Sequence, residues 1–179
     1  MPKGTGGFLQ PEEILKQLNI GKDMIIADFG CGAGYFAIPL AKFAQQGKVY
    51  ALDILETALQ SVQSRAKLEG LFNIEPRRCN LEISNSSGLG NNSLDLVLLA
   101  NILFQSTKKA DIIKEGKRVL KKGGQMIIID WKPNQPMGPP DKLIVSLDSA
   151  KEMAEKQGLK FKKDFPVDKY HWGLIFEKL

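Results

Sequence analysis

Residues 25 to 34 read IIADFGCGAG, an apolar run that stops at Gly30, Gly32 and Gly34. A continuous apolar run of strand length suits a strand buried on both faces, inside a parallel sheet rather than on a half-exposed surface. Three alternating glycines exceed what one strand-to-helix turn needs. They shape that turn or bring the backbone against a ligand, and Asp28 adds a carboxylate just before the first of them.

The rest of the chain alternates strand and helix signals. QPEEILKQL reads as a short helix, with Pro11 at its first position and Glu12 and Glu13 at its positive end. After the glycines, Phe36, Leu40 and Phe43 recur at helical spacing, and Pro39 is expected to distort the first turns because it has no N–H to donate. KVYALDI is a second strand. ETALQSVQSRAKLEG is a helix with Leu59, Val62 and Ala66 on one face and Gly70 as its stop. NIEPRRC suits a sheet edge, where Pro76 is tolerated. A polar loop, SNSSGLGNNS, leads to a central strand, LDLVLLA. KADIIKEGKRVL is a helix ended by KKGG, and QMIIID is the fifth strand.

WKPNQPMGPPDK is too rich in proline for a regular element. SAKEMAEKQG reads as a helix opened by a capping box of Ser149 and Glu152. LKFKKDF and HWGLIFEKL are the last strands, and the intervening PVDKY is long enough for an antiparallel hairpin but not for a crossover. This alternation predicts a single α/β domain over 1–179, a doubly wound sheet with one antiparallel strand, preceded by a flexible arm over 1–8.

Charge and composition narrow the partners. The net charge of +5 favours an anionic partner only mildly, since the lysines are scattered and no aromatic residues interleave with them for stacking on bases. They read as solvated faces, so nucleic acid is not favoured. Cys31 and Cys79 are too few for a disulfide framework and, with no secretory signal, read as thiols of a cytoplasmic protein. No apolar run approaches the roughly 20 residues that span a membrane. His171, the only histidine, cannot build a His-rich metal site, and no metal is expected.

The glycine spacing separates two cofactor classes. A dinucleotide fingerprint, G-x-G-x-x-G, would need its third glycine at position 35, which is tyrosine. The pattern present is D-x-G-x-G-x-G. A carboxylate at Asp28 faces a diphosphate poorly and suits a cationic or hydrogen-bond-donating group.

IIADFGCGAGYFAIPLA resembles the first motif of the class I S-adenosylmethionine-dependent methyltransferases, and further segments match that family in order. VYALDI places Asp53 at the end of strand 2, where the resemblance implies an acid on the ribose hydroxyls, with Ile54 following it. RRCNLE is similar to the segment that holds the adenine edge, which implicates Asn80 and Leu81; the family often has Asp where this chain has Asn80. LDLVLLANILFQ resembles the fourth-strand motif and puts Asn101 beside the methionine part of the cofactor. VLKKGGQMIIIDWKP resembles the unit that follows. The resemblance implies a sheet of order 3-2-1-4-5-7-6 with strand 7 antiparallel, and S-adenosyl-L-methionine as cofactor. It further implies cofactor contacts at Asp28, Gly30, Cys31, Gly32, Gly34 and Tyr35.

Single residues carry alternatives. Asp28 orients the glycine loop and the cofactor's methionine end, or caps the following helix. Cys31 reads as packing, because methyl transfer needs no enzyme thiol. Tyr35 touches the cofactor or covers the loop. Asp95 reads as an ordinary strand-start residue and His171 as structural. Trp131, after strand 5, is a candidate wall of the acceptor pocket, and Phe8 a candidate lid. No catalytic base is identifiable. The loops around the core are short, which favours a small or exposed acceptor, or a site completed by a second subunit, so a homo-oligomer stays open. A methyltransferase on a small-molecule acceptor is the leading reading. A non-catalytic cofactor-binding subunit of a partner enzyme is the alternative.

Overall fold

The computed structural model describes residues 9–179. Phe8, the candidate lid, lies outside the described residues. The elements are α1 (Pro11–Leu15), β1 (Ile25–Phe29), α2 (Ala37–Phe43), β2 (Lys48–Asp53), α3 (Glu56–Leu68), β3 (Ile74–Arg78), β4 (Leu94–Ala100), α4 (Lys109–Val119), β5 (Leu120–Trp131), α5 (Leu147–Lys156), β6 (Leu159–Phe165) and β7 (His171–Lys178). The seven strands form one sheet of order β3-β2-β1-β4-β5-β7-β6. All neighbours are parallel except β7, which runs antiparallel to β5 and β6. This is the order and handedness of pairing that the resemblance implies. Strand order reverses beside β1, so the carboxyl ends of β1 and β4 open a crevice where α/β sheets bind ligands.

The apolar runs are continuous because both faces of the sheet are covered. Ile26, Leu96, Leu98, Ile127 and Ile129 pack with α1, α2 and α3 on one side. Ala27, Phe29, Val97, Leu99 and Ile128 pack with α4 and α5 on the other. Edge strand β3 carries Pro76, as expected of a strand with one free side. No helix among the described residues is long and apolar enough to cross a membrane.

Three local expectations change. The regular helix α2 starts only at Ala37, so Pro39 falls in its first turn, where a missing N–H leaves no bond unmade. The residues between the glycines and Ala37 are turns rather than helix. The KKGG segment does not simply end α4. It lies inside β5 as an excursion of the ladder, since Leu94 faces Leu120 while Leu96 faces Gln125, and Gly123 sits at φ +77.

The cap of α5 is Ser146, not Ser149: the Ser146 side chain accepts from the Ser149 N–H at 3.1 Å, and the helix begins at Leu147. Ser149 sits where a capping box would place an acid, and its hydroxyl is 2.9 Å from that of Ser146. Replacing Ser146 by Ala is expected to cost about 1 kcal/mol in urea unfolding. Ser149→Ala, which keeps the backbone donor, is expected to cost less. Equal losses would contradict this placement of the cap.

Candidate functional site

The glycine loop grows out of β1 and is tied to β2. The N–H groups of Gly30 and Cys31 both donate to the Leu52 carbonyl, at 2.8 and 2.9 Å. The Gly32 N–H donates to Oδ2 of Asp53 at 2.9 Å, while Oδ1 of Asp53 accepts from the Leu55 N–H at 2.9 Å. Asp53 is thus the post that holds the loop tip against the end of β2. Arg65 of α3 donates to the Ala33 carbonyl at 3.0 Å, and the Tyr35 hydroxyl donates to the Leu9 carbonyl at 2.5 Å.

The three glycines have different physical reasons. All sit at positive φ. A Cβ at Gly30 would stand 2.5 Å from Cδ1 of Ile102, and one at Gly34 would stand 3.1 Å from Val62 and 3.2 Å from Ile38. Those two positions are closed by the protein's own packing. A Cβ at Gly32 would meet nothing within 4 Å. Packing does not explain its missing side chain.

Asp28 lies under this loop and is 2 % exposed. Its carboxylate accepts from the Ala37 N–H, the first residue of α2, yet Oδ2 has no partner among the described residues. Burial and the nearby Asp53 charge push its carboxyl up to about 7. The cap reading of Asp28 holds for one oxygen, which accepts from the first N–H of α2, while the other stays unpartnered among the described residues. Cys31 is buried, its thiol 3.5 Å from the Gly32 carbonyl, and burial with the Asp28 and Asp53 charges pushes that thiol far above its ordinary range. Such a thiol packs and does not attack.

Asn101 follows β4 at φ +55, held by its N–H donating to the Ile129 carbonyl at 2.8 Å. Its Oδ1 is buried without a partner among the described residues. Its Nδ2 is 3.3 Å from Nε2 of His171, and His171 in turn presents Nδ1 to both carboxylate oxygens of Asp168, at 2.9 and 3.0 Å. Sequence reasoning missed Asp168 altogether. Trp131 is buried and its ring meets that of His171 at a tilt, 4.2 Å between centroids and 44° between planes, under the proline-rich loop. Asp130 accepts from the N–H groups of Leu103, Phe104 and Trp131, which pins the turn after β4 to the end of β5; burial pushes its carboxyl up to about 6 against those bonds.

The loop after β3 carries Asn80 and Leu81. Asn80 Oδ1 accepts from the Glu82 N–H at 3.0 Å, and Leu81 is buried. Buried Glu115 of α4 anchors the far side of this loop by accepting from the Ser87 hydroxyl, the Asn85 N–H and the Arg118 guanidinium. Burial alone would raise the Glu115 carboxyl, but these donors outweigh it and hold it at about 2. Ile54 and Leu55 stand exposed beside Asp53. Asp95 is at the opposite edge of the sheet, accepting from the Ile25 N–H and pairing with Lys121 at 2.7 Å.

The strand ends thus carry two buried oxygens without partners among the described residues, an uncrowded backbone at Gly32, a carboxylate at Asp53 and exposed apolar side chains beside it. This donor-seeking set fits a ligand with a cationic end, hydroxyls and a planar ring, and S-adenosylmethionine has all three.

A family model described as a methyltransferase domain matches residues 20–161. The demethylmenaquinone methyltransferase of Geobacillus kaustophilus is 28 % identical over 120 residues, which are 66 % of this chain and 50 % of that protein. The Listeria welshimeri protein of the same name is 30 % identical over 128 residues, 70 % of this chain and 52 % of its own length. The chain therefore spans about half the length of these curated relatives. A S-adenosylmethionine-dependent methyltransferase from Aquifex aeolicus superposes with a TM-score of 0.87 at 27 % identity, covering 96 % of this chain and 90 % of its own. With the fold, the glycine cradle and these matches in agreement, the chain belongs to the methyltransferase-domain family of S-adenosylmethionine-dependent methyltransferases.

Proposed function

We propose that the protein moves the methyl group of S-adenosylmethionine to a small acceptor with an apolar body, of the kind that a quinone ring with a hydrocarbon tail represents. The observation that carries this reading is the placement of exposed apolar side chains. Leu55, Ile83, Met137 and Leu143 are all exposed, and all lie in the connections that leave the carboxyl ends of β2, β3 and β5. Leu68 and Phe72 are exposed away from these connections, but four exposed apolar side chains along one edge of the sheet suit a binding face. The relatives named demethylmenaquinone methyltransferase support the same acceptor class.

In this reading Asp28 and Asn101 hold the methionine end of the cofactor, Gly32 lets the backbone come close, and Asp53 takes the ribose hydroxyls. Ile54 flanks the adenine, with Asn80 and Leu81 at its edge. Gly30, Cys31, Gly34 and Tyr35 shape and cover the loop, and Trp131 backs the acceptor side. When bound, S-adenosylmethionine supplies a methyl group made electrophilic by a sulfonium. The chain's own share is to align the partners and keep water out. Asp28, Cys31 and Trp131 are buried and so lie out of bulk water. Ionised hydroxyls of an acidic acceptor need no strong base.

Asp53→Ala is expected to weaken S-adenosylmethionine binding by about 1.5–3 kcal/mol, the order for losing hydrogen bonds to a charged acceptor. The fold should persist, because Asp53 ends a strand outside the core; calorimetry and circular dichroism check the two parts. The activity itself is tested by following S-adenosylhomocysteine release with a reduced demethylated naphthoquinone and with polar acceptors such as glycine. Release with the naphthoquinone supports the reading. Release with polar acceptors alone overturns the acceptor class, and cofactor binding without release for any acceptor favours a non-catalytic subunit.

A further inference from the structure

His171 is the only histidine of the chain, and it is 1 % exposed. It sits at the start of β7 in register with Trp131 at the end of β5, so the β5–β7 pairing brings it to the carboxyl edge beside Asn101. Both carboxylate oxygens of Asp168 face its Nδ1. A carboxylate accepts only, so Nδ1 carries the proton. With the ring neutral, Nε2 is left with a lone pair and no hydrogen. Only the NH₂ side of the Asn101 amide can then face it, at 3.3 Å. The amide oxygen is turned the other way, where it is buried and unpartnered. An amide without such a neighbour is free to present either end.

We infer that Asp168 and His171 are positioning residues: through the histidine tautomer they lock the Asn101 amide with its oxygen toward the ligand, as an acceptor for the cationic methionine end of the cofactor. This rests on the cofactor placement proposed above. Burial also pushes the imidazole below its ordinary range, against the pull of Asp168, and so favours the neutral ring. A protonated ring would offer an N–H from Nε2, and the amide would have to turn its oxygen inward and its NH₂ toward the ligand's positive charge.

The test uses the full chain labelled with 15N-histidine, whose single ring gives one pair of nitrogen signals. At pH 7 the proposal expects a protonated Nδ1 and a bare Nε2. It is paired with calorimetry of S-adenosylhomocysteine binding to His171→Leu and His171→Gln. Both variants lose the ring contact with Trp131, so both lose stability. Leu offers Asn101 no acceptor, and affinity is expected to fall about tenfold. Gln can restore an acceptor near the place of Nε2 and is expected to recover most of that loss. A proton on Nε2, Leu binding as tightly as the unaltered protein, or Gln binding no better than Leu would each overturn the proposal. The tautomer measurement needs no variant to fold. Failure of the unaltered protein to bind S-adenosylhomocysteine would overturn the cofactor placement itself, a result visible without any substitution.

Discussion

Replacing Asp28 by Asn is expected to stabilise the ligand-free protein at pH 8 while removing most of its affinity for S-adenosylmethionine. The two effects share one cause. In the folded chain burial and Asp53 hold the Asp28 carboxyl at about 7, against an ordinary 3.8. A folded value above the unfolded one means that the native state binds the proton more tightly, so this group's contribution is fully present below about pH 4 and is lost as pH rises toward 7. The difference, 7 − 3.8 or about 3, corresponds to about 4 kcal/mol at most, since each pH unit is worth about 1.4 kcal/mol. Asn carries no charge to bury but leaves an N–H without an acceptor, so a gain of about 1–3 kcal/mol at pH 8 is expected, vanishing at pH 4. Affinity should fall by about 2–3 kcal/mol, because the buried partner of a cationic group is gone. Urea unfolding at pH 4 and 8, with calorimetry at pH 8, reads both. An unchanged unfolding profile together with unchanged affinity would remove Asp28 from the site.

Gly30→Ala and Gly32→Ala are expected to fail in opposite ways. At Gly30 the new methyl lies 2.5 Å from Cδ1 of Ile102 and 3.2 Å from its Cβ, at φ +74. Ile102 must move or the loop must, and the loss should be about 2–4 kcal/mol of stability. At Gly32 the methyl meets no protein atom within 4 Å, and only the φ of +50 is penalised, by about 1 kcal/mol. Its methyl instead takes up space in the cradle, so the loss should appear in affinity, about a hundredfold. Melting temperatures with and without cofactor separate the two, since a ligand stabilises only the state it binds. If Gly32→Ala keeps the full ligand-induced rise, the cradle is not at this residue.

The sheet was legible because the central strands announce themselves by buried apolar runs and each connection by its length, while the polar edge strands β3 and β6 follow from their places in the alternation; PVDKY is too short for anything but the β6–β7 hairpin. The glycine motif was legible for the same local reason. What sequence could not carry is tertiary. Ser149 followed by Glu152 has the pattern of a capping box, but the chain enters α5 three residues earlier, and Ser146 takes the cap. KKGG has the composition of a helix stop, yet pairing of Leu94 with Leu120 draws it into β5. Asp168 lies three residues before His171 in a short connection, and its meaning depends on β7 folding back along β5 so that the ring reaches Asn101. The unpartnered oxygens of Asp28 and Asn101 likewise exist only once the sheet has buried them. A lone histidine near the carboxyl edge was the one available signal.

Calorimetric titration of the unaltered chain with S-adenosylmethionine and, separately, with NAD tests the central claim most directly. The D-x-G-x-G-x-G loop with buried Asp28 beneath it predicts saturable binding of S-adenosylmethionine and none of NAD. Saturable binding of NAD with none of S-adenosylmethionine would contradict the account.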